Sequence, residues 1–346
     1  MKAIQFIEPW SVKCVDVSLP EINQDEVLIK VKAVGVCGTD LELLSGDMPH
    51  IKNGFTKYPL IPGHEWAGEI VEVGNSVKSF NIGDRVTGDV SIGCGCCYIC
   101  RTGRYNLCPN RVVVGSYRNK DGAYAEYLKM PERHLYKLPD NISYEEGALV
   151  EPAATSAYAV MKARIGLGEK VLVIGDGPIG QLAVQCAKIA GATKVINVGS
   201  WDEKLEVAKQ LGADAALNYK KDDMVAAALE LTNGEGVDTV IETSGNKIAF
   251  NQSIKSIRPG GKIALLSFYS ETEISAAINN FIIKDAEMIG ILASPNAFKP
   301  TLALMETGRI NVKPLITHKF PLHQAEEALE MVRSKKECKI KVLLIP

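Results

Sequence analysis

The sequence predicts an α/β protein in two parts, one β-rich and one a doubly wound parallel sheet. Two observations carry that expectation. Residues up to about 150 break into short strand-like runs parted by glycine and proline, whereas from Lys170 strand-like and helix-like runs alternate. The first strand of that second series ends in G-x-G-x-x-G, a spacing that turns a strand directly into a helix. At 346 residues the chain is long enough for two domains of ordinary size. We expect residues 1–155 with 294–346 to form one and residues 156–293 the other.

The opening MKAIQFIEPW alternates like a strand and lacks the basic and apolar regions of a secretory leader. EVLIKVKAVGV (26–36), WAGEIVEVG (66–74) and GAYAEYLKM (122–130) are further strands, with PEINQDE and NIGDR as turns between runs. KVLVIG (170–175) leads into the amphipathic IGQLAVQCAKIAG, KVINVG into DEKLEVAKQLG, and AALNY into DDMVAAALELTN. VDTVIET, KIAFNQSIKSI and GKIALLS continue a series that calls for right-handed crossovers and a parallel sheet. After about Ser294 the pattern turns helical and closes on CKIKVLLIP, a strand expected to rejoin the first domain.

Apolar residues make up 46% of the chain and charged residues 23%, an ordinary globular balance. Lys and Arg total 39 against 41 Asp and Glu, a net charge of −2. No basic surplus is left to neutralise phosphates, so nucleic acid is not an expected partner. No apolar run reaches the roughly 18 residues that cross a bilayer. The expected setting is therefore cytoplasmic and off the membrane, where thiols stay reduced and clustered cysteines point to metal or catalysis.

VLVIGDGPIGQLA (171–183) places Gly175, Gly177 and Gly180 in dinucleotide-binding spacing, with Pro178 and Ile179 opening the helix. Gly175 permits the tight turn, Gly177 lets a pyrophosphate approach the backbone, and Gly180 lets helix and strand pack closely. The helix start offers unpaired N–H groups to the phosphates. The second strand normally ends in an acid that accepts from the NAD ribose hydroxyls. Here it ends in Gly199, Ser200 and Trp201. Without that carboxylate nothing repels a 2′-phosphate, Ser200 and Tyr219 are available donors, and the expectation favours NADP(H) over NAD(H). Asp202 reads as a helix N-cap rather than a displaced acid.

GCGCCYICRTGRYNLC (93–108) gathers Cys94, Cys97, Cys100 and Cys108 in C-x₂-C-x₂-C-x₇-C spacing. Four thiolates close a tetrahedral zinc and leave no open position, so this site is expected to be structural, with Cys96 a bystander. Bacterial ferredoxin runs share a Cys-Pro ending but place x₃, not x₇, before the last cysteine. A sparser set comprises Cys37 in VGVCGTD, His64 and Glu65 in IPGHEWAGE, and Glu151 in LVEPAATS. Thiolate, imidazole and carboxylate make a three-ligand set with a fourth position open, as a catalytic zinc needs. Each alone has an ordinary explanation as a packed or hydrogen-bonded side chain. Cys14, Cys186 and Cys338 lie in apolar contexts and are expected to pack, and His50, His134, His318 and His323 lack ligand spacing.

These motifs, with YPLIPGHEWAGEIVEVGNSVKSFNIGDRV and GALVEPAATSAYAV, resemble those of zinc-dependent medium-chain dehydrogenase/reductases along essentially the whole chain. The resemblance implies a GroES-like β-rich catalytic domain and a Rossmann dinucleotide-binding domain. It also implies two zinc ions per subunit and NAD(P). Cys37 and His64 would hold the catalytic zinc, with Glu65 a supporting or alternative ligand. Glu151 would complete the site directly or through water, as in the polyol and sorbitol dehydrogenase branch. Thr39 would pass the substrate proton outward, and Glu42 stands where many relatives carry the next relay residue, a His. The implied reaction interconverts a secondary alcohol, such as a polyol, sugar alcohol or sugar acid, with its ketone. In place of that branch's Arg-Tyr substrate pair the chain has GILASPNAF, where Ser294 and Asn296 are the polar candidates. Alternatives are an L-threonine 3-dehydrogenase-like activity, a simple secondary-alcohol dehydrogenase and, remotely, a non-catalytic nucleotide-binding protein. Relatives assemble as dimers or tetramers, so a homodimer or homotetramer is expected.

Overall fold

The computed structural model describes residues 1–269, 271, 273–334 and 336–346. The chain divides into two compact units. The first comprises residues 1–151, 294–306 and 316–346, and the second residues 152–293 and 307–315. Residues 307–315 go with the second unit because Asn311 and Gln185 exchange two hydrogen bonds, at 2.7 and 3.1 Å. Among the described residues no helix is long and apolar enough to cross a membrane.

In the first unit, the strand Glu26–Val36 is the spine of a seven-stranded sheet. It pairs antiparallel with Glu65–Val73, Tyr127–Pro131 and the final strand Lys341–Ile345. Its residues are buried except Lys30 and, in part, Lys32, so it reads as an apolar run rather than a clean alternation. Ile29, Val31, Val34, Trp66, Ile70, Tyr124 and Leu128 form the centre of one core. Two functional motifs lie where strands meet: Cys37 follows the C-terminal end of Glu26–Val36, and Glu65 pairs with Gly35 at the start of the neighbouring strand.

The second unit holds six parallel strands in the order Ala215–Asn218, Lys194–Gly199, Lys170–Ile174, Val237–Glu242, Ile257–Leu265, Glu287–Gly290. The order reverses on either side of Lys170–Ile174, and a crevice at the carboxyl ends of the strands opens at such a switch point. The expected helices are present as Pro178–Ile189, Asp202–Gln210, Met224–Glu230 and Lys247–Ser256. Asp202 does not cap its helix. The N-cap is Trp201, and the Asp202 carboxylate instead accepts from Asn218 at 2.7 Å and Lys221 at 2.5 Å. Cys14 is exposed on an edge strand rather than packed, whereas Cys186 is buried as expected.

Candidate active site and metal centres

Helix Gly38–Ser45 begins at Cys37, its N-cap, so the thiol sits at a strand-to-helix corner. His64 precedes the strand Glu65–Val73, and the neighbouring strand brings it to the same corner. One donor atom each from Cys37, His64 and Glu65 lies within 4.8 Å of the others, and His64 and Glu65 are buried. Glu151, second residue of the helix Val150–Lys162, is close enough to feel the charges of His64 and Glu65 but lies outside the convergent set. Burial raises its carboxyl to about 7; Glu65 and Asp89 add to the rise, and His64 and Lys341 oppose it. Thr39 and Glu42 are half-buried in the helix after Cys37, three residues apart and so on one face. Burial, then the nearby Asp47, raises the Glu42 carboxyl above its ordinary value.

Three residues that the sequence reading left unassigned organise this corner. Asp40, fully buried, accepts from the Cys37 backbone N–H at 2.9 Å and from the Tyr124 hydroxyl at 2.9 Å. Its other oxygen lies 3.5 Å from His64 Nδ1. At that distance the carboxylate faces the ring as a charge, with no hydrogen bond closed between the two atoms. Lys341 donates to both oxygens of Glu65, at 2.8 and 2.6 Å, and to the Val36 carbonyl at 3.1 Å. Signals were there to read: the Asp of VGVCGTD, the Tyr of GAYAEYLKM, and a lysine heading the otherwise apolar KVLLI. Burial works against a proton on both His64 and Lys341, yet the acidic surroundings prevail and both shift upward. Asp40 and Cys37 act on His64, and Glu65, Cys37 and Asp40 on Lys341. Cys37, Asp40 and Glu65, gathered about His64, make an acidic set that suits a bound cation.

In the second centre, the sulphurs of Cys94, Cys97, Cys100 and Cys108 all come within 4.8 Å of one another. Backbone N–H groups of Cys96 and Cys97 hold the Cys94 thiol down at about 6. Cys96 is exposed and outside the four, 3.6 Å from Cys94. Four convergent sulphurs fit zinc without leaving room for a substrate. Asn296, a candidate for substrate contact, instead braces this loop. Its Nδ2 donates to the Gly103 carbonyl and its backbone N–H to the Tyr105 hydroxyl, both at 2.9 Å.

Tyr105 in turn donates to Asp89 at 2.5 Å, and Asp89 also accepts from the Ser91 N–H. Burial pushes the Asp89 carboxyl up to about 6, against the pull of those two donors. A carboxyl raised in this way stabilises the fold most below its unfolded value, and that stability is lost as pH climbs through about 6. Between about pH 5 and 7.5 the wild type should therefore lose about 1 kcal/mol relative to Asp89→Asn. Urea denaturation across that range measures the difference, and parallel curves would refute it.

In the second unit, helix Pro178–Ile189 starts at Gly177, directly after the strand Lys170–Ile174 and the turn at Gly175 and Asp176. Gly175 has φ +125°, and a Cβ at Gly180 would lie 2.0 Å from the Gly175 carbonyl oxygen. Turn and helix thus close on each other only because both residues lack side chains. At Gly177 a Cβ would meet open space, so the backbone there is accessible to a phosphate. Pro178 and Ile179 form the first turn. A cavity of about 480 Å³ lies alongside, lined by Gly175, Gly199, Ser200 and Tyr219 and by Asp176, Asp222, Ser244 and Asn246 among others. Trp201 packs under the Lys220 ammonium, 5.6 Å from its ring centroid. Glycine turn, helix start and cavity together fit a dinucleotide.

Comparison with known proteins agrees with this geometry. Residues 23–140 match the alcohol dehydrogenase GroES-like domain, and residues 178–307 the zinc-binding dehydrogenase family. The chain is 36% identical over 347 residues to a sorbitol dehydrogenase of Bacillus subtilis, covering 100% of this chain and 97% of that enzyme. It is also 36% identical over 332 residues to an L-threonine 3-dehydrogenase of Bacillus licheniformis, covering 95% and 94%. A zinc-binding dehydrogenase structure from Sinorhizobium meliloti 1021, bound to NADP, superposes with a TM-score of 0.91. It has 32% identity and covers 100% of this chain and 99% of that one. The protein belongs to the zinc-type medium-chain dehydrogenase/reductases, and is an NAD(P)-dependent oxidoreductase related to the sorbitol and polyol dehydrogenases.

Proposed function

We propose that the enzyme interconverts a secondary alcohol of polyol, sugar-alcohol or sugar-acid type with its ketone, exchanging hydride with NAD(P). The observation that carries this is the buried corner where Cys37, His64 and Glu65 converge with Glu151 alongside. Cys37 and His64, with Glu65 or Glu151 completing the set, are assigned to one zinc and Cys94, Cys97, Cys100 and Cys108 to a second, two per chain. When bound, the first zinc supplies a Lewis acid for the alcohol oxygen. Asp40 faces His64 at Nδ1, and Lys341 pairs with both oxygens of Glu65. Thr39 accepts the alcohol proton at its hydroxyl and passes it outward, with Glu42, one turn on, as the next acceptor. Gly175, Gly177, Pro178, Ile179 and Gly180 are assigned to the pyrophosphate, and Gly199, Ser200, Trp201 and Tyr219 to the adenosine end.

Threonine oxidation is the second reading, favoured by the equal 36% identity to an L-threonine 3-dehydrogenase. Assays of the zinc-loaded enzyme on polyols, sugar acids, simple secondary alcohols and threonine, with both cofactors, separate the two. Turnover on none of them would overturn the secondary-alcohol assignment, and turnover on threonine alone would replace the polyol one. On the preferred substrate, Thr39→Val should lower kcat about 100-fold at unchanged zinc content, and Thr39→Ser should restore most of it. An unchanged kcat in Thr39→Val would remove this residue from the proton path. Self-association is proposed as well. Its support is the edge strand Glu287–Gly290 and the exposed side chains of Ile278, Ile282, Ile283 and Met288.

A further inference from the structure

We infer that Asp176, from inside the glycine loop, replaces the acid missing at the end of the strand Lys194–Gly199 and makes the pocket selective for NAD(H) over NADP(H). This rests on the reading that the second unit binds NAD(P), and it says which of the two. The sequence alone pointed the other way, because Gly199 stands where the ribose-binding acid is expected.

The space beside Gly199 is not vacant. A Cβ at that glycine would lie 2.5 Å from Asp176 Cβ and 2.6 Å from its Oδ2, so the Asp176 side chain fills the place. Asp176 Oδ2 accepts from the backbone N–H of Ser200 at 2.7 Å and of Trp201 at 3.2 Å, and from the Ser200 hydroxyl at 3.4 Å. The donor that the sequence offered to a 2′-phosphate is thus already turned toward a carboxylate. Oδ1 has Lys204 Nζ at 3.8 Å and no closer donor among the described residues. That oxygen keeps lone pairs for a ribose diol.

The surroundings exclude a phosphate for the same reason. Asp176 and Asp222 both line the 480 Å³ cavity, and no lysine, arginine or histidine appears among its described lining residues. The two lysines beside it already face other groups: Lys204 Nζ lies 3.8 Å from Asp176 Oδ1 itself, and Lys220 lies over the Trp201 ring. A 2′-phosphate would meet two carboxylates without a partner guanidinium, whereas two hydroxyls would meet an acceptor.

Fluorescence titration of the full-length, zinc-loaded enzyme with NADH and with NADPH reads binding without any substrate. NADH should bind at least about 10-fold more tightly than NADPH, the worth of one charged hydrogen bond. Asp176→Asn keeps the shape and removes the charge, and should shrink that ratio about 10-fold. An unchanged ratio in a folded Asp176→Asn overturns the inference. The wild-type ratio tests it even if that variant does not fold, since NADPH binding as tightly as NADH overturns it outright. Binding of neither dinucleotide would instead overturn the oxidoreductase reading on which it rests.

Discussion

Lys341→Met should cost about 3–5 kcal/mol of stability, the usual penalty for stripping one partner from a buried ion pair. Lys341 is 2% exposed and Glu65 1% exposed, so neither charge has water to fall back on. The ammonium is shared between the two Glu65 oxygens and the Val36 carbonyl, and it ties the last strand to the corner holding Cys37 and His64. Removing it leaves a bare carboxylate near Glu151, a second, half-buried acid. The loss should come from that uncompensated charge more than from the lost attraction. Glu65→Gln combined with Lys341→Met should therefore recover at least half of the stability. Urea denaturation at pH 7, with zinc content checked in each variant, measures both. A single variant within about 1 kcal/mol of wild type, or a double variant weaker than the single, would show that the pair is not what holds the corner.

Cys37→Ser should leave one zinc per chain and lower kcat by about three orders of magnitude. The thiolate is the only soft donor in its set, and a serine hydroxyl would be a poor substitute for it toward zinc. A Lewis acid contributes several kcal/mol of transition-state stabilisation, and each 1.36 kcal/mol is a factor of ten. The four-sulphur centre is made by a different loop and should keep its ion. Cys96→Ser is the control: this cysteine is exposed and outside both clusters, so zinc content and kcat should stay at wild-type levels. Elemental analysis beside steady-state kinetics reads both effects. Two zinc ions in Cys37→Ser, with kcat within tenfold of wild type, would remove Cys37 from the metal site.

Spacing and periodicity carried most of the architecture. The parallel series after Lys170, the glycine turn and the four-cysteine cluster were all legible, because each is a local pattern in which a few residues dictate their own geometry. Family membership followed from the same motifs. Helix capping at Asp202 and the packing of Cys14 were misjudged, since both depend on neighbours distant in sequence: Asn218 and Lys221 for the first, an exposed sheet edge for the second. Asn296 likewise proved to be a brace for the cysteine loop, through contacts 193 and 191 residues away along the chain.

What the sequence determined by itself was the inventory: which residue types stand at strand ends, and hence that zinc and a dinucleotide are the chemistry. What only the tertiary structure decided was how the charges pair. Lys341 meets Glu65 across 276 residues, Tyr124 meets Asp40 across 84, and Asp176 reaches the strand end at Ser200 across 24. An ionised group pairs with whatever the fold brings within a few ångströms, and burial makes that choice energetically decisive. Linear spacing holds no record of that distance, so the partners of buried charges had to be read from the fold.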